Sequence, residues 1–183
     1  MNKLIAIVGM CGSGKSVATE YFQNKNYEVI YFGGVTMKKL KEENLEVTPE
    51  NEKMMRERLR KDFGMGAYAK VLLDDIKESL KNNNVVLDGV YSWSELEILK
   101  EEFPNLVVLA IIVDKNIRYE RLNRREIRPL NNEEARNRDL SEIKNIEKGG
   151  PIAYADYFIL NNDSLEEYNN KLDLIYKEVE KRI

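Results

Sequence analysis

Gly9-Met10-Cys11-Gly12-Ser13-Gly14-Lys15-Ser16 places three glycines, a lysine and a hydroxyl in the spacing G-x-x-x-x-G-K-[ST]. Glycine admits backbone angles closed to other residues and lets amide N–H groups close around an anion such as a polyphosphate. In this pattern Lys15 would reach the β- and γ-phosphates of ATP, and Ser16 would offer its hydroxyl to Mg²⁺. Gly9, Gly12, Ser13, Gly14, Lys15, Ser16 and Val17 form the candidate nucleotide contacts. The motif needs a strand before it and a helix after it. Leu4-Ile5-Ala6-Ile7-Val8 has the length and apolar character of a strand buried on both faces, and Val17 to Asn24 reads as helix, so the loop would face phosphate with a helix dipole behind it.

Asp88 is the second candidate. It ends the apolar run Val85-Val86-Leu87 and precedes Gly89, at the strand edge where open α/β sheets bind ligands. There it would hold Mg²⁺ or orient an acceptor hydroxyl, the alternative being an ordinary turn aspartate. Arginine is the third signal, since Arg118, Arg121, Arg124, Arg125, Arg128, Arg136 and Arg138 crowd one short region. Arg118, Arg121, Arg125 and Arg128 are spaced to share one helix face. Such a face is either a polyphosphate clamp or a solvated stripe paired with Glu120, Glu126, Glu133 and Glu134. Arg60 is the candidate acceptor-phosphate contact among Arg56, Arg58 and Arg60, which otherwise pair with Glu52, Glu57 and Asp62. Tyr91 and Trp93 are candidates to stack on an acceptor ring or, alternatively, to anchor the core.

Histidine is absent from the 183 residues, which excludes His-based triads and His-ligated metals and leaves phosphoryl transfer, whose demands are positioning and positive charge. A net charge of −3 argues against general nucleic-acid binding. Cys11 stands alone, ruling out an intramolecular disulfide. It reads as a packing residue or as a thiol activated by the helix end. With no candidate leader or membrane span, a cytoplasmic protein is expected, a monomer or homodimer.

Further strands are expected at 28–32, 85–87, 106–113 and 157–160. Helices are expected at 35–44, after Thr48-Pro49, at 66–81, from Ser92 or Ser94 to Phe103, at 115–126, at 132–148 and from Ser164 to the end, with breaks at Pro129 and Gly149-Gly150-Pro151. Five strands alternating with helices predict an α/β fold with a parallel, doubly wound sheet and helices on both faces.

In this order, the loop, Leu59-Arg60-Lys61-Asp62-Phe63-Gly64, Val86-Leu87-Asp88-Gly89, Glu120-Arg121-Leu122-Asn123-Arg124-Arg125, Arg138-Asp139 and Ala155 to Asn161 resemble the adenylate-kinase-related small P-loop kinases, a group also similar to dephospho-CoA kinases. The resemblance implies a three-layer P-loop NTPase fold in one domain over 1–183. Its core would be 1–34, 82–114 and 149–183, with a helical acceptor-binding insertion over 35–81 and an arginine-rich lid over 115–148. It also implies that Arg121 and Arg125 serve the lid, that Arg138 approaches the transferred phosphoryl group, and that Asn161 borders the adenine. Catalysis would then rest on Lys15, Asp88, Arg121, Arg125 and Arg138, with a small-molecule phosphate acceptor. Two arginines that grip acceptor phosphate in nucleoside monophosphate kinases are replaced here by Gly33-Gly34-Val35-Thr36-Met37 and Asp88-Gly89-Val90-Tyr91-Ser92. That difference keeps a second reading open, a nucleotide-dependent regulatory switch without a small acceptor. A kinase of nucleic-acid ends is a third.

Overall fold

In a computed structural model, described here for residues 2–182, five strands form one parallel sheet in the order β2-β3-β1-β4-β5. The strands are β1 (Leu4–Val8), β2 (Tyr27–Tyr31), β3 (Asn84–Asp88), β4 (Val107–Ile112) and β5 (Tyr157–Leu160). Side-chain alternation splits the core in two. Leu4, Ala6 and Val8 of β1 join Val85, Leu87, Val108 and Ala110 on one face, while Ile5 and Ile7 join Val86, Leu109 and Ile111 on the other. Burying each large aliphatic side chain there contributes roughly 1.5–3 kcal/mol.

The second face is covered by α1 (Lys15–Asn24) and α9 (Leu165–Lys181), through Phe22, Tyr168 and Leu172. The first face carries α2 (Gly34–Glu42), α3 (Pro49–Phe63), α4 (Ala67–Ser79) and α5 (Trp93–Glu102). The helices α6 (Lys115–Asn123) and α7 (Asn132–Ile146) follow β4, and a short α8 (Gly149–Ala153) precedes β5. Among the described residues no helix is long and apolar enough to cross a membrane.

Local signals set most helix starts. Thr48 caps α3 with Pro49 at its first position, and capping boxes open α5 (Ser92 with Glu95), α7 (Asn131 with Glu134) and α9 (Ser164 with Glu167). Two expectations are corrected. The arginine-rich helix ends at Asn123 rather than Glu126, because the chain turns back so that Leu130 N–H donates to the Leu122 carbonyl at 3.1 Å and Leu122 packs with Cys11 and Ala135. Gly149-Gly150-Pro151 begins a short helix instead of breaking one. Proline is tolerated in a first turn, whose N–H groups lack intrahelical partners, and Gly150 lies against the Trp93 ring.

Candidate functional site

The loop between β1 and α1 is held by its own glycines. Gly9, Gly12 and Gly14 have φ of 150°, 83° and 92°. A Cβ on Gly9 would lie 2.5 Å from the Ile111 carbonyl oxygen, and one on Gly14 would lie 2.6 Å from Asn161 Nδ2, so larger residues are excluded by space as well as by angle. Unlike α5, α7 and α9, α1 has no side-chain cap: its N-cap is Gly14, leaving the first-turn amides available to an anion. Inside the loop Ser13 is buried and its Oγ has no hydrogen-bond partner. An orphaned hydroxyl and an uncapped helix start, behind glycines that admit no side chain, fit a bound polyphosphate.

Lys15 spans the loop, donating from Nζ to the Gly9 and Met10 carbonyls at 2.9 and 3.1 Å. Burial, then the nearby Lys148 ammonium, lowers its pKa to about 8. Asp88 sits at the end of β3, in register with Ile7 of β1. Burial raises its pKa, while the Lys15 charge and the Thr19 hydroxyl pull it back. Ser16 is exposed at the start of α1, and Val17 packs toward the α1–α9 face of the core. Mg²⁺ commonly takes only one or two protein carboxylates beside phosphate and water, so Ser16 and Asp88 suit it even though the described residues contain no group of three or more acidic or thiol ligands.

The expected arginine stripe is not a single face. Arg118 is buried and forms a two-pronged pair with Asp139, at 2.9 and 2.6 Å, while also donating to the Cys11 carbonyl at 3.0 Å. Arg121 donates to the Asn161 carbonyl at 3.0 Å, and Arg125 points at the Cys11 sulfur at 3.9 Å. Arg128, in a left-handed conformation beyond the helix, reaches Glu52 at 3.1 Å. Asn161 is buried against the loop and donates from Nδ2 to the Ser13 carbonyl at 2.9 Å, while Tyr168 Oη donates to the Gly14 carbonyl at 3.1 Å. Arg118, Arg121, Asn161 and Tyr168 thus brace the loop from behind. Cys11 is a buried packing residue between the loop and α6–α7.

Beside the loop lies a cavity of about 450 Å³. Its walls come from the β2–α2 turn (Tyr31, Gly33, Thr36, Met37), from α3 and α4 (Glu52, Arg56, Arg60, Tyr68), from Tyr91 past β3, and from Arg128, Arg138 and Glu142 on the α7 side. Arg60 lies over the Tyr68 ring, 5.7 Å from its centroid, and its Nε is buried without a partner. Glu52 accepts from both Arg128 and Arg56, and the Arg128 hydrogen bond leads in holding its pKa below the usual carboxylate range. Arg58 pairs with Glu43 at 2.9 Å and with Asp62 at 3.9 Å. At the two places where acceptor arginines are missing, tyrosine rings cover glycines: Tyr31 over Gly33 and Tyr91 over Gly89. Trp93 does not line this cavity; it packs on Gly150 and stands edge-on to Tyr154 at 5.4 Å.

The structure therefore brings Lys15 and Asp88 to one strand edge and Arg60, Tyr91 and Arg138 to one cavity, and it sets Arg121, Arg125 and Asn161 behind the loop. Sequence reasoning missed Lys148 and Glu142, whereas the Arg56–Glu52 pair, weighed there as the alternative to an acceptor contact, is present at 3.2 Å. Glu142 accepts from Lys148 Nζ at 2.7 Å and Arg138 Nε at 3.2 Å. No motif surrounds these residues. The one available sign was the Arg138–Glu142 spacing of four along a helix.

Comparison with known proteins agrees with this architecture. A family model described as an AAA domain matches residues 5–140. UPF0200 protein MJ1399 of Methanocaldococcus jannaschii is 37% identical over 179 residues, covering 96% of this chain and 90% of the relative. The fold is similar to that of a shikimate kinase from Bacteroides thetaiotaomicron, with a TM-score of 0.62 at 12% identity over 97% of this chain and 98% of that one. It is also similar to a dephospho-CoA kinase from Campylobacter jejuni, with a TM-score of 0.56 at 16% identity over 97% of each chain. An uncapped glycine loop on a small P-loop kinase-like fold, together with these matches, shows that the chain belongs to the AAA domain family and to the UPF0200 proteins.

Proposed function

We propose that the protein is a phosphotransferase that moves the γ-phosphoryl group of Mg-ATP to a phosphate-bearing nucleotide or nucleotide-like small molecule. One observation carries this reading. Two residues of the arginine-lined cavity act electrostatically on the phosphate loop, Glu142 on Lys15 and Arg138 on Cys11, and Tyr91 covers the glycine after Asp88, so an acceptor in it would meet the tail of a nucleotide on the loop. In place of the two missing acceptor arginines, Arg60, Arg56 and Arg128 supply positive charge from α3 and from the segment before α7. Guanidinium matches phosphate oxygens in a two-pronged geometry, and Arg60 Nε still lacks a partner.

On this reading the loop amides and Lys15 hold the donor, and Ser16 and Asp88 would hold Mg²⁺, which when bound supplies charge neutralisation between phosphate oxygens. Arg138 faces the charge that develops during transfer. Arg121 and Asn161 act through the loop they brace, and Arg125 through Cys11. The test is coupled ADP release against nucleoside monophosphates, deoxynucleotides, dephospho-CoA, nucleosides and shikimate. Acceleration by a phosphate-bearing member, lost in Arg60→Met without loss of ATP affinity, is expected. ADP release that no small molecule accelerates would overturn the acceptor assignment and favour the nucleotide-dependent switch.

A further inference from the structure

Lys148 sits where no motif points. Glu147 closes α7 in a left-handed conformation, with φ of 55°, and the Lys148 N–H donates to the Glu142 carbonyl at 3.1 Å. That turn sends the lysine inward, where only 3% of its side chain is exposed. Its Nζ donates to Glu142 at 2.7 Å and lies 5.0 Å from the centroid of the Tyr91 ring. Tyr91, Glu142 and Arg138 all line the cavity, and the Tyr91 ring covers Gly89, the residue after Asp88.

The left-handed Glu147 is an ordinary helix ending, but a buried ammonium is unfavourable unless it is paired and hydrogen-bonded. Charge makes the arrangement informative. Glu142 gathers Lys148 and Arg138 on one carboxylate, and the Tyr91 ring that Lys148 lies over covers Gly89, so both cations stand beside Asp88 at the end of β3. Three cations, Lys15, Lys148 and Arg138, surround two carboxylates, Glu142 and Asp88, and of these Arg138 and Glu142 open onto the cavity. Such a surplus draws in an anion at the point where donor and acceptor would meet.

We propose that Lys148 binds the phosphoryl group in transit, donating from Nζ to its oxygens across from Lys15, and that Glu142 is the counter-ion that holds Lys148 in place when that group is absent. This rests on the phosphotransferase reading above. In the transfer, the bond from the β–γ bridging oxygen to the γ-phosphorus breaks and its electron pair leaves with ADP. The bond from an acceptor oxygen to that phosphorus forms, and any acceptor proton goes to solvent. Lys148 stays protonated throughout and acts by charge alone.

Titration calorimetry in Mg²⁺ with ADP and with the non-hydrolysable imido analogue of ATP separates this role from a structural one, because the two ligands differ by the γ-phosphoryl group. In Lys148→Met the preference of the protein for the analogue over ADP should fall about tenfold, with ADP affinity unchanged and part of the preference kept in Lys148→Arg. If Lys148→Met does not fold, Lys148→Met with Glu142→Met removes both charges and should show the same selective loss. An unchanged preference, or equal weakening of both ligands, overturns the inference and leaves the phosphotransferase reading standing. Failure of the unsubstituted protein to bind either ligand overturns both.

Discussion

The phosphate loop and the cavity beside it both gather groups that match phosphate, but they are assembled differently. The loop is one uninterrupted stretch, Gly9 to Ser16, whose shape follows from glycine angles and from a helix that begins without a side-chain cap. The cavity draws Tyr31, Arg60, Tyr91, Arg128 and Arg138 from separate segments; Glu52 holds Arg56 from its own helix and Arg128 from far along the chain, while Glu142 holds Arg138 one turn away. A site made from one segment keeps its chemical groups together even though Arg118, Asn161 and Tyr168 brace it from elsewhere in the chain. One made from five can change its ligand by a single substitution on any wall.

The largest expected effect belongs to the loop. Lys15→Ala should lower ATP turnover by about 100- to 1000-fold, the scale on which one preorganised charge acts on a transition state, with the circular dichroism spectrum unchanged. Retained turnover would show that the loop is not the donor site. Next is the brace between α6 and α7 behind the loop, where Asp139→Asn leaves Arg118 buried beside a neutral amide. Stability should fall by about 3–5 kcal/mol in urea titrations, with Arg118→Met/Asp139→Leu recovering most of it. A small loss in the single variant would mean that the loop keeps its shape without α7.

A pH series gives an intermediate effect. The pKa of Lys15 is lowered to about 8 in the ligand-free protein, and a bound triphosphate favours the charged ammonium, so affinity for Mg-ATP should fall by up to tenfold per pH unit above 8, with proton uptake on binding. The same shift makes the ligand-free protein gain stability between pH 8 and 10.5, because the unfolded chain then binds the extra proton. Lys15→Met should abolish that gain. The smallest effect is expected at the cavity rim. The Arg128 side chain is 66% exposed and Glu52 keeps Arg56, so Arg128→Ala should change stability by less than about 1 kcal/mol while weakening an anionic acceptor. A large stability loss there would mean that the rim is structural.

The parts of the fold that could be read from the chain are those with short-range causes. The buried run Leu4–Val8, the Thr48-Pro49 start of α3 and the serine cap of α9 announce themselves within a few residues. The α6 boundary could not be read that way, because arginines are good helix formers and the stop at Asn123 depends on Leu122 packing against Cys11 and Ala135. Helical spacing put Arg118, Arg121, Arg125 and Arg128 on one stripe; in the structure each serves a different partner.

Composition and motif settled that a glycine loop lies between a buried strand and an uncapped helix of an α/β sheet, since glycine angles, helix starts and strand burial are properties of neighbouring residues. Charge partners four residues apart on a helix could be read from spacing, but the long-range ones were settled by packing. Lys148 meets Lys15, and Arg128 meets Glu52, only because the sheet order β2-β3-β1-β4-β5 and the left-handed turns at Arg128 and Glu147 bring distant segments together, and Coulomb energies depend on distance in space rather than along the chain.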